Sequence, residues 1–193
     1  MPDINNRTNQ SIVAGSLGAV SKKNNSSIAM GFMGVKVLVM VDVSGSMMDR
    51  DTGDGSSRYE VAVKQLELLQ AENPGEVAVC CFSNGAQFCP GGVPLMLSGT
   101  TDMVAALRMM LMADNTGIRL ILISDGEPDD DEKTIALARK FKSKIDTVFV
   151  GSESGRGRSF LKELSAATGG ISITTEVNQL GKLSDNITRL IAA

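Results

Sequence analysis

The chain has 193 residues, of which 42% are hydrophobic and 21% charged, so it is long enough for one globular domain with its own core. A net charge of −3, six Phe, one Tyr and no Trp exclude the basic or aromatic surfaces with which proteins hold nucleic acids. The absence of histidine excludes Ser-His-Asp and Cys-His catalysis and every histidine-containing zinc site.

The N-terminal extension, residues 1–33, differs in composition from the rest. It is rich in Asn, Ser and Gly, with one apolar patch of small residues from residue 12 to residue 20. Two interpretations remain open: a flexible tail, or a short helix that docks elsewhere. The extension lacks the basic start and long apolar run of a signal peptide. No apolar stretch of the sequence reaches the length of a membrane span.

The cysteines agree with a reducing compartment. Cys80, Cys81 and Cys89 are odd in number and two are adjacent, so they are no disulfide framework. We therefore expect a cytoplasmic protein without a membrane partner.

Strands and helices alternate regularly from residue 34 to residue 193, which we predict to be one domain. The first strand is apolar on both faces, as in parallel sheets that are covered by helices on both sides. The predicted strands are residues 35–41, 76–82, 118–123, 145–150 and 171–175, with a short edge hairpin over residues 86–97. The predicted helices are residues 58–71, 102–113, 129–142, 158–168 and 177–191.

This alternation predicts an α/β fold of three layers: a doubly wound, mostly parallel six-stranded sheet with helices on both faces and one antiparallel edge strand. Pro90 and Pro94 favour the edge position for the hairpin, because proline cannot donate to a strand ladder. In such sheets ligands bind beyond the carboxyl ends of the strands. The functional residues should therefore lie in the loops at that edge.

Carboxylates and hydroxyls cluster in three of these loops. Asp42, Ser44 and Ser46 follow the first strand, Thr101 precedes the second long helix, and Asp125 follows the strand at 118–123. Hydroxyl and carboxylate oxygens are hard ligands that suit Mg²⁺ or Mn²⁺. Neutral hydroxyl ligands leave most of the metal charge uncompensated, so such a site favours an incoming anion.

The Asp-x-Ser-x-Ser motif of Asp42, Ser44 and Ser46 resembles the metal-ion-dependent adhesion site of von Willebrand factor A domains. Thr101, in a Gly-Thr-Thr-Asp loop, and Asp125, in Ser-Asp-Gly-Glu-Pro, match the two distant residues of that site. The resemblance covers about residues 35–193 and implies an intact site on a Rossmann-like fold. It implies that the two serines and the threonine bind Mg²⁺ and that the Asp or Glu of a partner protein supplies the last ligand.

A narrower resemblance concerns the loop at residues 49–60. It looks most like that of bacterial cytoplasmic members of the family, some of which belong to tellurite-resistance or stress operons. Others are partners of AAA+ ATPases. The resemblance therefore suggests an AAA+ ATPase or a stress-operon protein as the partner.

Each site residue also has an ordinary structural explanation. Asp42, Ser44 and Ser46 could form an ordinary polar turn after the strand. Thr101 could cap the following helix, as could Thr100 or Asp102, and Asp125 could simply form a turn. The acids Glu127, Asp129, Asp130 and Asp131 are interpreted as a solvated, helix-starting run.

The loop at residues 49–60 also invites a comparison with a calcium loop. Asp49, Asp51 and Glu60 stand at its first, third and twelfth positions. Gly53 and Asp54, however, stand in the wrong order for an EF-hand.

Together these patterns predict a binding module and not an enzyme. A Mg²⁺-dependent phosphohydrolase of the haloacid-dehalogenase type would use Asp42 as nucleophile and Asp125 as metal ligand. Ser44, however, stands where that type carries its second catalytic Asp. A third hypothesis is a structural subunit that assembles with its own copies through residues 1–33.

Overall fold

The computed structural model describes residues 12–51, 54–95, 99–151 and 156–176, together with residues 182, 185, 187 and 188. Residues 1–11 of the predicted extension, and all but four residues of the predicted helix 177–191, lie outside the described residues. The helices are α1 (Leu17–Lys23), α2 (Ile28–Gly31), α3 (Arg58–Glu72), α4 (Met103–Met110), α5 (Asp131–Ala138) and α6 (Arg156–Thr168). The strands are β1 (Val37–Asp42), β2 (Val77–Phe82), β3 (Ala86–Phe88), β4 (Arg119–Ser124), β5 (Ile145–Gly151) and β6 (Ser172–Glu176).

The strands form one six-stranded sheet in the order β3-β2-β1-β4-β5-β6. All neighbouring strands are parallel except β2 and β3, which are antiparallel at the edge. The chain leaves β1 towards β2 and then returns to β4 on the other side of β1. Strand order therefore reverses between β1 and β4, which is where α/β sheets open a crevice for ligands. The predicted fold class is confirmed.

Helices cover both faces of the sheet because the central strands are apolar on both sides. All six residues of β1 are buried. Successive side chains of a strand point to opposite faces, so Met40 joins one core cluster while Val39 joins the other. The first cluster includes residues of α4, α5 and α6, and the second includes Leu66 and Leu69 of α3. The result is the predicted three-layer arrangement.

The edge hairpin differs from its prediction over residues 86–97. Only Ala86–Phe88 forms a strand there, and its hairpin partner is β2. The backbone amide of Cys89 still donates to the carbonyl of Val79, and the chain then turns through a hydrogen bond from Gly92 to Cys89. The predicted antiparallel edge strand is confirmed, but it is shorter than the predicted hairpin, and residues 96–98 lie outside the described residues.

Helix α5 is shorter than the predicted helix at residues 129–142. It begins at Asp131, because the Asp130 carboxylate accepts a hydrogen bond from the amide of Lys133 and caps the helix. It ends at Ala138. Beyond it, the amides of Lys140 and Phe141 bond only three residues back, to Leu137 and Ala138, so the α-helical pattern stops there. The amides of Lys142 and Ser143 then donate to the Asp114 carboxylate of another loop, which the local sequence could not indicate.

The described part of the N-terminal extension packs on its own domain. Leu17 of α1 is buried, and the amide of Gly18 donates to the carbonyl of Pro90 beyond β3. The carbonyl of Gly15 accepts a hydrogen bond from Gly75, at the end of α3. Gly15 has a φ of +82°, and a Cβ there would lie 2.0 Å from the carbonyl oxygen of Gln70. Only glycine allows this close approach.

In the described residues, no helix combines the length and the apolar composition that crossing a membrane requires.

Helix α3 allows a paired test of the second core cluster. Leu66 has no exposed surface, whereas Leu68 of the same helix is 47% exposed. We expect Leu66→Ala to lower the free energy of unfolding by about 2–5 kcal/mol, because it removes buried methyl groups and leaves a cavity. Leu68→Ala should cost less than about 1 kcal/mol. Urea denaturation of the three proteins measures both values, and equal losses would contradict this packing.

Candidate metal centre

A buried carboxylate stands at the centre of the candidate site. Asp42, the last residue of β1, has no exposed surface. Its Oδ1 accepts a hydrogen bond from the backbone amide of Ser44 at 2.8 Å, and its Oδ2 accepts one from the Ser124 hydroxyl at 2.6 Å. The Ser124 Oγ in turn accepts a hydrogen bond from the amide of Gly126 at 2.8 Å. Asp42 therefore joins the loops that follow β1 and β4.

Burial also changes the acidity of this carboxylate. It raises the pKa of Asp42 from 3.8 to about 6, although the hydrogen bonds from Ser124 and Ser44 oppose the rise. The negative charge of Asp125 nearby contributes in the same direction as burial. A positive charge placed near Asp42 would reverse this effect by favouring the ionised form.

Two serine hydroxyls stand side by side in front of Asp42. The Oγ atoms of Ser44 and Ser46 lie 3.2 Å apart. Ser44 is buried, whereas Ser46 is exposed in the short 3-10 turn Gly45–Met48. Ser44 precedes this turn without capping it through its side chain. The pair thus offers two neutral oxygens, one lining the interior and one facing outwards.

Asp125 follows β4, and its side chain is only 10% exposed. Burial raises the pKa of Asp125, while a hydrogen bond from Ser46 and the positive charge of Arg58 lower it. The negative charges of Glu127 and Asp49 raise it further. The Nη1 atom of Arg58 lies 3.3 Å from Oδ2 of Asp125. The carboxylate is therefore shared between a hydroxyl and a guanidinium group.

Thr101 is buried in the loop that precedes α4. Its amide donates to Oδ1 of Asp129 at 3.1 Å, and its carbonyl accepts from the Asp129 amide at 3.1 Å. The amide of Gly45 donates to the carbonyl of Gly99 at 3.3 Å, which joins this loop to the serine loop. The cap of α4 is Asp102, whose carboxylate accepts from Ala105. The Thr101 side chain is thus not the helix cap.

The structure brings four of the five predicted residues together: Asp42, Ser44 and Ser46 are joined by hydrogen bonds, and the charge of Asp125 is close enough to raise the pKa of Asp42. It places the fifth, Thr101, in the loop that is bonded to Gly45. The sequence did not single out Ser124 or Arg58, and it predicted Asp129 only as part of a solvated acid run, whereas its carboxylate accepts from the Thr101 amide. Ser124 could have been predicted as a site residue, because its hydroxyl precedes the predicted Asp125 at the end of a strand that lies beside β1.

The donors suit a hard divalent cation. Among the described residues, no group of three or more His, Cys, Asp or Glu side chains is arranged to hold a metal ion. A metal held at this edge would therefore depend on hydroxyl oxygens, and Ser44 and Ser46 supply two of them 3.2 Å apart. Asp42 and Asp125 provide the negative charge, so the residues fit Mg²⁺ or Mn²⁺.

The acids of the loop at residues 49–60 are engaged within the protein. Glu60 accepts from the amide of Ser57 in a capping box and pairs with Arg50 at 2.9 Å. Asp51 pairs with Arg58. These acids do not converge on one point as calcium ligands would.

No family model matches the chain, and no curated protein matches it in sequence. Among solved structures, the chain resembles a von Willebrand factor type A protein from Catenulispora acidiphila, with a TM-score of 0.60 and 16% sequence identity. The match covers 80% of this chain and 41% of that chain, so this chain spans about two fifths of that protein. At this identity the likeness concerns the fold. The chain has the α/β fold of von Willebrand factor A domains.

The raised pKa of Asp42 predicts a pH-dependent stability. The folded protein holds the Asp42 proton more tightly than the unfolded chain does. The resulting stabilisation is full below pH 3.8 and is lost as the pH rises through about 6. In EDTA, we expect the free energy of unfolding of wild type to fall by up to about 3 kcal/mol, relative to that of Asp42→Asn, between pH 4 and pH 7. Urea unfolding at several pH values measures this difference, and parallel pH profiles would contradict it.

Proposed function

We propose that the chain is a metal-dependent protein-interaction module. Its metal, Mg²⁺ or Mn²⁺, is held by Ser44, Ser46 and Thr101, with Asp42 and Asp125 orienting these ligands. An Asp or Glu of a partner protein completes the coordination. The observation that carries the proposal is the adjacent pair of serine hydroxyls, 3.2 Å apart, in front of the fully buried Asp42 carboxylate.

The distribution of charge favours an acidic partner. The proposed direct ligands are neutral hydroxyls, so a bound divalent ion keeps most of its positive charge. When bound, the metal supplies a Lewis acid that accepts a carboxylate oxygen. Ser46 is exposed, which leaves that side of the site open to a side chain of another protein. Asp42 stays behind the serines and fixes their loop by accepting the hydrogen bond of the Ser44 amide.

The same geometry disfavours catalysis by Asp42. Both of its carboxylate oxygens accept hydrogen bonds within the protein, and the residue has no exposed surface. A nucleophile of the haloacid-dehalogenase type must reach a phosphorus atom of the substrate. We therefore keep the proposal of a binding module that is not an enzyme.

The finer parts of the proposal concern the partner. We propose a cytoplasmic protein of bacterial stress-response type whose partner is an AAA+ ATPase or another stress-operon protein that presents an acidic residue. Nucleic acids and membranes are not proposed partners. Self-assembly into a homo-oligomer through residues 1–33 remains the alternative: Leu17 of that segment is buried on its own domain, whereas Met30 and Met33 are exposed.

Isothermal titration calorimetry tests the metal site. We expect wild type to bind Mg²⁺ and Mn²⁺, and Ser44→Ala to lose at least about tenfold in affinity because one oxygen ligand is gone. Thr101→Val should weaken binding in the same way. The matched control is Thr100→Val, since the Thr100 hydroxyl donates to Asn84 at 3.0 Å and not to the site. Equal affinities for the Thr100 and Thr101 variants would contradict the assignment of Thr101.

Partner capture tests the rest of the function. Immobilised wild type should retain an acidic partner in Mg²⁺ and release it in EDTA, and the Ser44→Ala variant should retain none. Replacing the partner's acidic residue with its amide should abolish capture, because an amide cannot supply the anionic ligand. Retention that is equal in Mg²⁺ and in EDTA would contradict the proposal.

A further inference from the structure

Arg58 is held rigidly at the edge of the candidate site. It is the first residue of α3, and its side chain is only 11% exposed. Its Nε donates to Oδ1 of Asp51 at 3.0 Å, and its Nη2 donates to Oδ2 of the same carboxylate at 2.5 Å. A two-point contact of this kind fixes the plane of the guanidinium group. The backbone amide of Arg58 also donates to the carbonyl of Asp49.

The remaining guanidinium nitrogen is directed at the site. Nη1 of Arg58 lies 3.3 Å from Oδ2 of Asp125, whose side chain is 10% exposed. Ser46, one of the proposed metal ligands, is close enough to Asp125 for its hydroxyl to lower the pKa of that carboxylate. Any cation held at Ser46 therefore shares the Asp125 carboxylate with a fixed positive charge.

We propose that Arg58 is a built-in competitor of the metal ion. It weakens Mg²⁺ binding by the domain alone and so makes stable binding depend on the partner's carboxylate. This inference rests on the proposed function, since it concerns the regulation of the same site. It assigns Arg58 a regulatory role that its place in the sequence, outside the Asp-x-Ser-x-Ser motif, does not indicate.

Electrostatics gives the direction of the effect. A guanidinium group stays protonated at any physiological pH, so it cannot relieve repulsion by losing a proton. It is largely withdrawn from solvent, where charges interact more strongly than in bulk water. An arriving carboxylate adds a negative charge that offsets the guanidinium. Metal and carboxylate therefore strengthen each other's binding, and the protein avoids holding a metal tightly when no partner is present.

The chain offers a matched control for the charge. Arg50 belongs to the same loop, but its guanidinium donates to Glu60 and to the carbonyl of Gly55, and its side chain is 57% exposed. Arg50→Gln removes the same charge from the same region without touching Asp125. A difference between the two variants therefore reports the position of Arg58 and not the net charge of the protein.

Calorimetric titration with Mg²⁺ alone, and then in the presence of acetate as carboxylate probe, tests the proposal. We expect Arg58→Gln to bind Mg²⁺ about tenfold more tightly than wild type, and Arg50→Gln to stay within about twofold of it. Arg58→Lys, which keeps a positive charge, should bind less tightly than Arg58→Gln. Acetate should strengthen Mg²⁺ binding more in wild type than in Arg58→Gln.

The outcomes separate this inference from the proposed function. If wild type binds Mg²⁺ and Arg58→Gln binds it equally or less tightly, the inference alone is overturned. Arg58 would then have no effect on the metal or would act as a positioning residue for Asp125. Failure of wild type and Arg58→Gln alike to bind Mg²⁺ overturns the proposed function and the inference with it. Circular dichroism and urea unfolding in EDTA establish that each variant is folded before titration. If Arg58→Gln is not folded, Arg58→Lys serves as the second variant.

Discussion

The candidate site depends on one buried carboxylate. Asp42 has no exposed surface, and an ionised group in that position costs several kcal/mol unless hydrogen bonds compensate it. The compensation comes from the amide of Ser44 in the loop after β1 and from the hydroxyl of Ser124, the last residue of β4, whose oxygen also accepts from Gly126 in the next loop. The need to satisfy Asp42 therefore fixes both loops against each other. The loop that this carboxylate holds also places the hydroxyls of Ser44 and Ser46 side by side.

The sheet brings these loops together. β1 and β4 are neighbours in the sheet although 76 residues, 43 to 118, lie between the end of β1 and the start of β4. Because both strands are parallel, their carboxyl ends open at the same edge, and the order of strands reverses between them. Acidic side chains predominate at this edge. Among the described contacts, Arg58 is the one partly buried cation that pairs with them there, and its partners include Asp51 and Asp125. In the proposed function, the acids of this edge attract the metal and Arg58 moderates its affinity.

The sequence predicted those features that depend on residues close together in the chain. The apolar run of β1 and the motif of Asp42, Ser44 and Ser46 are contiguous, so the strand and the turn after it could be placed from the sequence. Contacts between distant loops could not be placed in this way. The pairing of Arg58 with Asp125 joins residues 67 positions apart, and the bond from Thr101 to Asp129 joins residues 28 apart. Hydrophobic periodicity carries no information about such side-chain partners.

Anomalous scattering from crystals grown with Mn²⁺, and with acetate as the carboxylate probe, tests the central claim most directly, because it locates the metal without assuming its ligands. The account predicts one Mn²⁺ peak roughly 2.2 Å from the hydroxyl oxygens of Ser44 and Ser46. It also predicts that the peak is absent from Ser44→Ala crystals grown in the same way. No peak beside the serines, or a peak only at the acids that begin α5, would contradict the claim that this edge of the sheet is a metal site.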